Sequence, residues 1–174
     1  MKYAQFPKLA TMTVLFACAL GAAEASTDKF PPCGTFTIHG SEFEVVPLDL
    51  AQEGRTVGDE RIGERELKDA DGNVVGVFRW VSTVVDTEGG DGDDTIALNH
   101  NVYTLPDGTI HASGQFFFET FMNRNTQPET NPAESKNSIA VTGGTGAYVN
   151  SEGEVEAAYT PGEPSKYIFK LQCD

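Results

Sequence analysis

The stretch IAVTGGTGAYVNSEGEV, residues 139–155, contains the pattern that decides the fold. Gly143, Gly144 and Gly146 interrupt an alternating apolar run, and a second strand-like run follows them. Glycine adopts backbone conformations and permits close approaches that other residues do not, so the stretch predicts a bulged, tightly connected corner of a barrel or sandwich. A phosphate-binding loop is the competing interpretation. It lacks the Lys-Ser/Thr pair and the helical period that such a loop requires.

Short runs rich in β-branched and aromatic residues make up most of the chain, and helical periodicity is almost absent. The runs span residues 34–39, 43–48, 62–67, 74–85, 95–105, 109–121, 137–142, 148–159 and 166–172. Turn residues separate them, and Asp71-Gly72 and Asp107-Gly108 are typical of hairpin turns. This rhythm predicts an antiparallel all-β barrel or sandwich.

The first 25 residues are typical of a secretory signal peptide. Lys2 and Lys8 give a basic start, residues 9–21 form an apolar run that is too short to cross a bilayer, and Ala23-Glu24-Ala25 has the small-x-small cleavage pattern. We expect the mature chain, residues 26–174, to be secreted or periplasmic. Once the signal is removed we expect no membrane association.

Cysteine content and net charge restrict the possible state of the thiols and the possible binding partners. With Cys18 lost in the signal, Cys33 and Cys173 remain, and we expect them to pair in an oxidising compartment. The alternative is a reactive thiol pair, which no Cys-x-x-Cys spacing supports. The net charge of -14 disfavours nucleic acid as a partner.

Four ordered blocks of the chain resemble the allene oxide cyclases and dirigent proteins of plants. The glycine stretch is similar to their Gly-Gly-Ser/Thr-Gly-x-Phe/Tyr signature, followed by Gly-x-Val. The other blocks are residues 57–59, 67–76 and 107–114, in matching order and spacing. The resemblance covers residues 43–171. It implies a single all-β domain built as an antiparallel closed β-barrel of about eight strands.

The resemblance also implies a cavity inside the barrel. Phe78, Trp80 and Ser82 share one face of their run, and in the family this face points inward. The implied cavity is aromatic and mostly apolar. An open volume of roughly 300 Å³ or more with Glu44 inside would support a role in ligand steering or cyclisation. Ser82 and Glu152 align with a cavity cysteine and a tyrosine of allene oxide cyclases, so both are candidates for contacting a substrate. The alternative is a solid core filled by Phe78 and Trp80.

Glu44 and Tyr103 are the candidate catalytic residues. Glu44 aligns with a strand carboxylate that stabilises developing charge in allene oxide cyclases, and such a group can act as an acid or base. Tyr103 shares a strand face with Asn99 and Asn101, and Asn101 is a further candidate for substrate contact. The alternative for Glu44 is an exposed glutamate on an edge strand.

Sequence motifs of other enzyme classes are missing. The chain has no Gly-x-Ser-x-Gly elbow, no His-Glu-x-x-His and no Walker motif, and its cysteines and histidines lack zinc-site spacing. We therefore predict neither a cofactor nor a metal. Calcium at the acidic loop 86–94 is an alternative, although the carboxylates there do not follow EF-hand spacing.

The function that these observations predict is control of a reactive small molecule. The barrel would bind an apolar or aromatic intermediate and direct its stereoselective cyclisation or coupling. One alternative is an isomerase or cyclase with acid–base groups, and another is a secreted interaction barrel without catalysis. The resemblance further implies assembly as a homodimer or homotrimer.

Overall fold

The computed structural model describes residues 30–42, 44–48, 50, 56–87, 95–117, 135–160 and 163–172, and all of its regular elements are β-strands. The nine strands are β1 (Gly34–Gly40), β2 (Glu44–Leu48), β3 (Glu60–Lys68), β4 (Val74–Asp86), β5 (Ile96–Leu105), β6 (Gly108–Phe117), β7 (Ser135–Gly146), β8 (Glu152–Tyr159) and β9 (Ser165–Gln172). In these ranges no helix has the length and apolar character needed to cross a bilayer.

Closure of the sheet is the defining feature of the fold. Strands β3 to β9 pair in chain order, each antiparallel to the next, and β1 pairs with β9 along its whole length. The end of β1 also pairs with β3, through His39 with Lys68 and Gly40 with Leu67, which closes an eight-stranded barrel. Strand β2 pairs antiparallel with the first five residues of β3. The predicted closed antiparallel barrel is confirmed.

The glycine stretch forms the end of β7, where it bends past β6. His111 pairs with Gly143 and Ala112 pairs with Val141, so Thr142 is an extra residue and forms a β-bulge. Gly146 has φ 63, and a Cβ there would overlap the carbonyl oxygen of Asp107. The predicted bulge is present. The glycines lie within the strand rather than between two strands, because close pairing with β6 continues to Gly146.

The end of the barrel beside the β7–β8 turn is closed by the segment that precedes β1. The Tyr148 hydroxyl donates a hydrogen bond to the carbonyl oxygen of Phe30 at 3.0 Å, and Ser151 Oγ donates one to the carbonyl oxygen of Pro32 at 3.3 Å. Phe30 is buried and packs edge-on against Phe36, with ring centroids 5.7 Å apart. This end is therefore sealed by protein.

Several sequence predictions fall outside the described residues. They concern the signal peptide, most of the acidic loop 86–94 and Cys173. Cys33 is disulfide-bonded, and Gly34 pairs with Leu171, so β1 starts beside the end of β9. The pairing of Cys33 with Cys173 stays a prediction. No cluster of three or more metal-ligating side chains occurs within the described ranges.

The close approach of β7 to its neighbours gives a testable prediction. A Cβ at Gly144 would lie 2.5 Å from the carbonyl oxygens of both Thr109 and Tyr148, and backbone atoms cannot move aside as a flexible side chain can. We expect Gly144→Ala to lower the free energy of unfolding by about 1–3 kcal/mol. Urea denaturation measures the change. The matched control is Ala140→Ser at an exposed position of the same strand, where we expect a change within about 0.5 kcal/mol. Equal stability of the two variants would contradict the packing argument.

Candidate functional site

A cavity lies inside the barrel at the end away from the β7–β8 turn. Its volume is about 90 Å³. The walls are formed by Val45, Arg61, Arg65, Phe78, Trp80, Ser82, Asn99, Asn101, Tyr103, Phe116, Asn137, Ile139, Val155, Ala157 and Tyr167. The space is smaller than the roughly 300 Å³ at which small-molecule sites usually begin, because large rings and an arginine occupy part of the interior. The cavity is partly open, so it suits several water molecules or one ring of a ligand that extends beyond it.

Stacked aromatic rings form one wall of this cavity. The Phe78 ring stacks on Tyr103 with centroids 4.5 Å apart and on Trp80 with centroids 4.9 Å apart. Tyr167 meets both Phe78 and Tyr103 edge-on, at 5.0 and 5.6 Å. Each such pair contributes about 0.5–1.5 kcal/mol beyond area burial, so the rings hold one another in place. The wall therefore presents a fixed apolar surface to a ligand.

Trp80 takes its position because the opposite residue on β3 is a glycine. Gly63 pairs with Trp80 in the register of β3 and β4, and a Cβ on Gly63 would overlap the indole ring. The indole therefore lies across β3. It is the chain's only tryptophan and a natural reporter of this cavity.

Arg65 brings a positive charge to the cavity wall. Its side chain is only 8% exposed, and its guanidinium carbon lies 5.6 Å from the Trp80 ring centroid and 5.8 Å from that of Tyr167. Cation–π contacts of this kind contribute about 2 kcal/mol when the cation is desolvated. Arg65 also forms a side-chain hydrogen bond with Tyr167. The guanidinium is thus fixed within an aromatic environment.

Asn99, Asn101 and Tyr103 alternate along β5, so their side chains share the inner face of the strand. The Asn101 amide donates a hydrogen bond to the Tyr103 hydroxyl at 3.3 Å. The Oδ1 atoms of Asn99 and Asn101 are buried and have no hydrogen-bond partner among the residues that the structure describes. Buried polar atoms usually have a partner, so these two oxygens are notable acceptors on the cavity wall.

Burial keeps the cavity tyrosines protonated. Desolvation raises the pKa of Tyr103 well above its ordinary value, and the neighbouring Tyr167 adds to the rise. Desolvation likewise raises the pKa of Tyr167 to about 12, against the opposing effect of the Arg65 charge. At neutral pH both phenols are hydrogen-bond donors and not bases. Tyr103 can therefore stabilise developing negative charge but cannot abstract a proton in this state.

Most of the predicted cavity residues lie on the cavity wall. The residues that line it are Phe78, Trp80, Ser82, Asn101 and Tyr103. Alternation predicted which of them share a strand face, and the family resemblance implied that the face with Phe78 points inward. Their roles in binding or catalysis stay predictions. The alternative of a completely filled core is not what the structure contains.

Two other predicted site residues have different outcomes. The prediction for Glu152 is wrong in position: it is exposed at the start of β8, because the residues of β8 that line the cavity are the odd-numbered Val155 and Ala157. The backbone of Glu44 pairs with Glu64, and Val45 beside it lines the cavity. The Glu44 side chain lies outside the described part of the structure, so its catalytic role stays a prediction.

Sequence reasoning did not select Arg65, Asn99 or Tyr167 as site residues. Tyr167 carried a signal, since it alternates with the apolar Phe169 and Leu171, whereas the other face of β9 includes two lysines and a glutamine. Arg65 carried none, because both faces of β3 mix charged and apolar residues. The opposition of Gly63 and Trp80 across two strands is what identifies the inner face there.

Comparison with known families agrees with this architecture. The family described as the allene oxide cyclase barrel like domain matches the chain over residues 41–169. The chain belongs to this family. The match includes β2 to β8 and the first part of β9, but it leaves out β1. No curated protein sequence matches the chain.

Solved structures of this barrel type are also similar to the chain. A pyocyanin demethylase is 25% identical with a TM-score of 0.62, and the match covers 79% of this chain and 99% of that one. The Diels Alderase AbmU from Streptomyces koyangensis is 16% identical with a TM-score of 0.55, over 78% of this chain and 60% of that one. The exo-specific intermolecular Diels-Alderase AbnU is 18% identical with a TM-score of 0.51, over 79% and 97%. The two Diels-Alderases show the shared fold alone.

The raised pKa of Tyr167 predicts a specific loss of stability at high pH. Below about pH 10, the pKa of tyrosine in an unfolded chain, the phenol is protonated in both states and its contribution is fully present. As the pH rises through the folded pKa of about 12, the unfolded state loses the proton first and stability falls, by about 2–3 kcal/mol at most. We expect Tyr167→Phe to have a shallower decline in this window. Urea denaturation at several alkaline pH values measures both slopes, and equal slopes would contradict the assignment.

Proposed function

We propose that this barrel binds one small apolar or aromatic molecule in its interior cavity and directs a cyclase-like conversion of it. The observation that carries the proposal is the wall of stacked rings around an open space, which Phe78, Trp80 and Tyr103 form on adjacent strands. Rigid apolar walls with a few fixed polar groups are typical of small-molecule sites. Solved barrels of similar fold that are Diels-Alderases support the class of reaction.

Confinement is the main source of catalysis in this proposal. A molecule held between rings that cannot move loses the freedom to adopt unproductive conformations, and this loss can supply a large part of a rate enhancement. It also makes one face of the molecule reactive, which favours a single stereoisomer in a cyclisation or coupling. The donors Arg65 and Tyr103 would stabilise negative charge as it develops.

A second candidate is an isomerase or cyclase with a true acid–base group. The buried, protonated Tyr103 favours it in part, because a fixed phenol beside Asn101 can polarise a carbonyl oxygen. The base that the family resemblance suggests is Glu44. Its backbone pairs with Glu64, whose side chain lies on the outer face, so strand alternation disfavours this scheme. We expect Glu44→Gln to change kcat by less than about threefold, and a strong loss of kcat with little change in binding would favour the acid–base scheme instead.

Ligand binding can be tested by filling the cavity. Ala157 lines it, so we expect Ala157→Leu to weaken the binding of para-cresol, indole and cyclohexanol by more than about tenfold. The single indole N–H resonance of Trp80 in a nitrogen-labelled sample reports the binding. Ala140→Leu, on the exposed face of β7, is the matched control and should bind as wild type does. A Trp80 resonance that no probe shifts would overturn the proposal.

Turnover needs its own measurement. A substrate with a tethered diene and dienophile is incubated with wild type, Ala157→Leu and Ala140→Leu, and the enantiomeric excess of the ring product is measured. We expect an excess with wild type and the control, and a near-racemic product with Ala157→Leu. A racemic product with all three would remove the cyclase part of the proposal while leaving the binding part.

We also propose that the chain is exported before it acts. The signal-like residues 1–25 and the disulfide at Cys33 support this, because disulfides persist in oxidising compartments. Intact mass of the purified protein should correspond to a chain starting near Ser26, with two hydrogens fewer than its reduced form. Cys33→Ser should lower stability by about 4–5 kcal/mol on the chain-entropy model if the partner is Cys173. An uncleaved mass would contradict export.

A further inference from the structure

The cavity wall carries more polar and charged groups than a purely apolar ligand requires. Arg65 carries a full positive charge, and Asn99 and Asn101 present two acceptor oxygens without partners among the described residues. An apolar ligand would cover the two oxygens without bonding to them, which costs about 1–3 kcal/mol for each buried oxygen. The site therefore favours a ligand that carries polar groups of its own at matching positions.

The two asparagine oxygens specify a donor on the ligand. Asn99 is 8% exposed and Asn101 is 6% exposed, so the side chains are more than nine-tenths buried, and both line the cavity. An amide oxygen accepts a hydrogen bond and cannot donate one. The ligand must accordingly bring an O–H or N–H group to this part of the wall.

Arg65 favours a ligand that has an anionic oxygen, on the opposite side of Trp80 from the two asparagines. Its guanidinium has five N–H donors, so it can hold Tyr167 and a ligand carboxylate together. Since the whole chain has a net charge of -14, general attraction of anions to the protein is disfavoured. Any preference for an acid must then come from guanidinium groups in the cavity itself.

The strand register places these two recognition elements on either side of one ring position. Gly63, Trp80 and Asn101 lie opposite one another across β3, β4 and β5, and Arg65 is two residues further along β3. Strands β3 and β5 are two spacings apart, about 10 Å. A long arginine side chain and one aromatic ring together span that distance. The volume of about 90 Å³ also suits one ring.

We propose that the cavity selects a monocyclic aromatic acid that also carries a hydroxyl or amino group. The ionised carboxylate binds Arg65, the ring lies against Trp80, and the O–H or N–H group donates a hydrogen bond to Asn99 or Asn101. This inference rests on the proposed function, because it names the class of molecule that the same cavity receives.

Three probes separate the contributions without any mutation. Para-hydroxybenzoate has the ring, the acid and the donor, benzoate lacks the donor, and para-cresol lacks the charge. We expect para-hydroxybenzoate to bind at least about tenfold more tightly than either of the others, as the loss of a charge-assisted or otherwise unsatisfied hydrogen bond predicts. The Trp80 indole resonance gives the three dissociation constants.

Variants then assign each contribution to a residue. Arg65→Met should weaken para-hydroxybenzoate by about 10- to 100-fold and para-cresol by less than about threefold. Arg65→Lys keeps the charge and should retain a preference for the acid. Arg79→Met is the matched control, because Arg79 pairs with Glu64 at 2.6 Å on the outer face. At least one of the variants Asn99→Leu and Asn101→Leu should bind para-hydroxybenzoate no more tightly than benzoate.

The outcomes distinguish this inference from the proposed function. If wild type bound para-cresol and para-hydroxybenzoate equally tightly, the proposed preference for a carboxylic acid would be overturned. The proposal of a small-molecule cavity would remain. An acid preference that survives Arg65→Met would overturn the assignment to Arg65. If neither asparagine variant changed the preference for the hydroxyl, the donor part would be overturned. If no probe shifted the Trp80 resonance, the proposed function itself would fail.

Discussion

Closure of the sheet is the constraint on which the rest of this protein depends. Pairing of β1 with both β9 and β3 gives the barrel an inside and an outside, and each strand must then alternate between them. The alternation places Phe78, Tyr103 and Tyr167 within contact of one another although they lie far apart in the chain. The cavity and its polar wall are consequences of this arrangement.

The interior of the barrel is filled at one end and contains a cavity at the other. One end is filled by Phe30, Phe36 and the buried Tyr148, and the inserted Thr142 bends β7 beside β6. The other end leaves about 90 Å³, enough for one ring. The Oδ1 atoms of Asn99 and Asn101, which have no partner among the described residues, belong to the wall of this space. A ligand with matching donor groups would bond to them.

Family membership and the local chemistry address different questions. The barrel domain family and the similar solved structures establish the architecture. They do not select the ligand, because the same fold supports different reactions through its wall residues. Here Arg65 and the two asparagines distinguish this wall from a purely apolar one. The proposals therefore depend on residues of this chain more than on its relatives.

The sequence by itself determined the all-β class, nine strand-forming runs and the two alternating faces of β4. Alternation and hairpin glycines are local signals, so Asp71-Gly72 and the shared face of Phe78, Trp80 and Ser82 could be interpreted directly. The inward direction of that face was implied by the family resemblance. Only the tertiary structure decided that Arg65 and Asn99 line the cavity, that Glu152 does not, and that the space is small. These facts depend on the register between strands distant in sequence and on how the side chains fill the closed interior. Both faces of β3 mix charged and apolar residues, so its inner face cannot be chosen from the sequence of that strand. The pairing of Gly63 with Trp80 across the sheet identifies it.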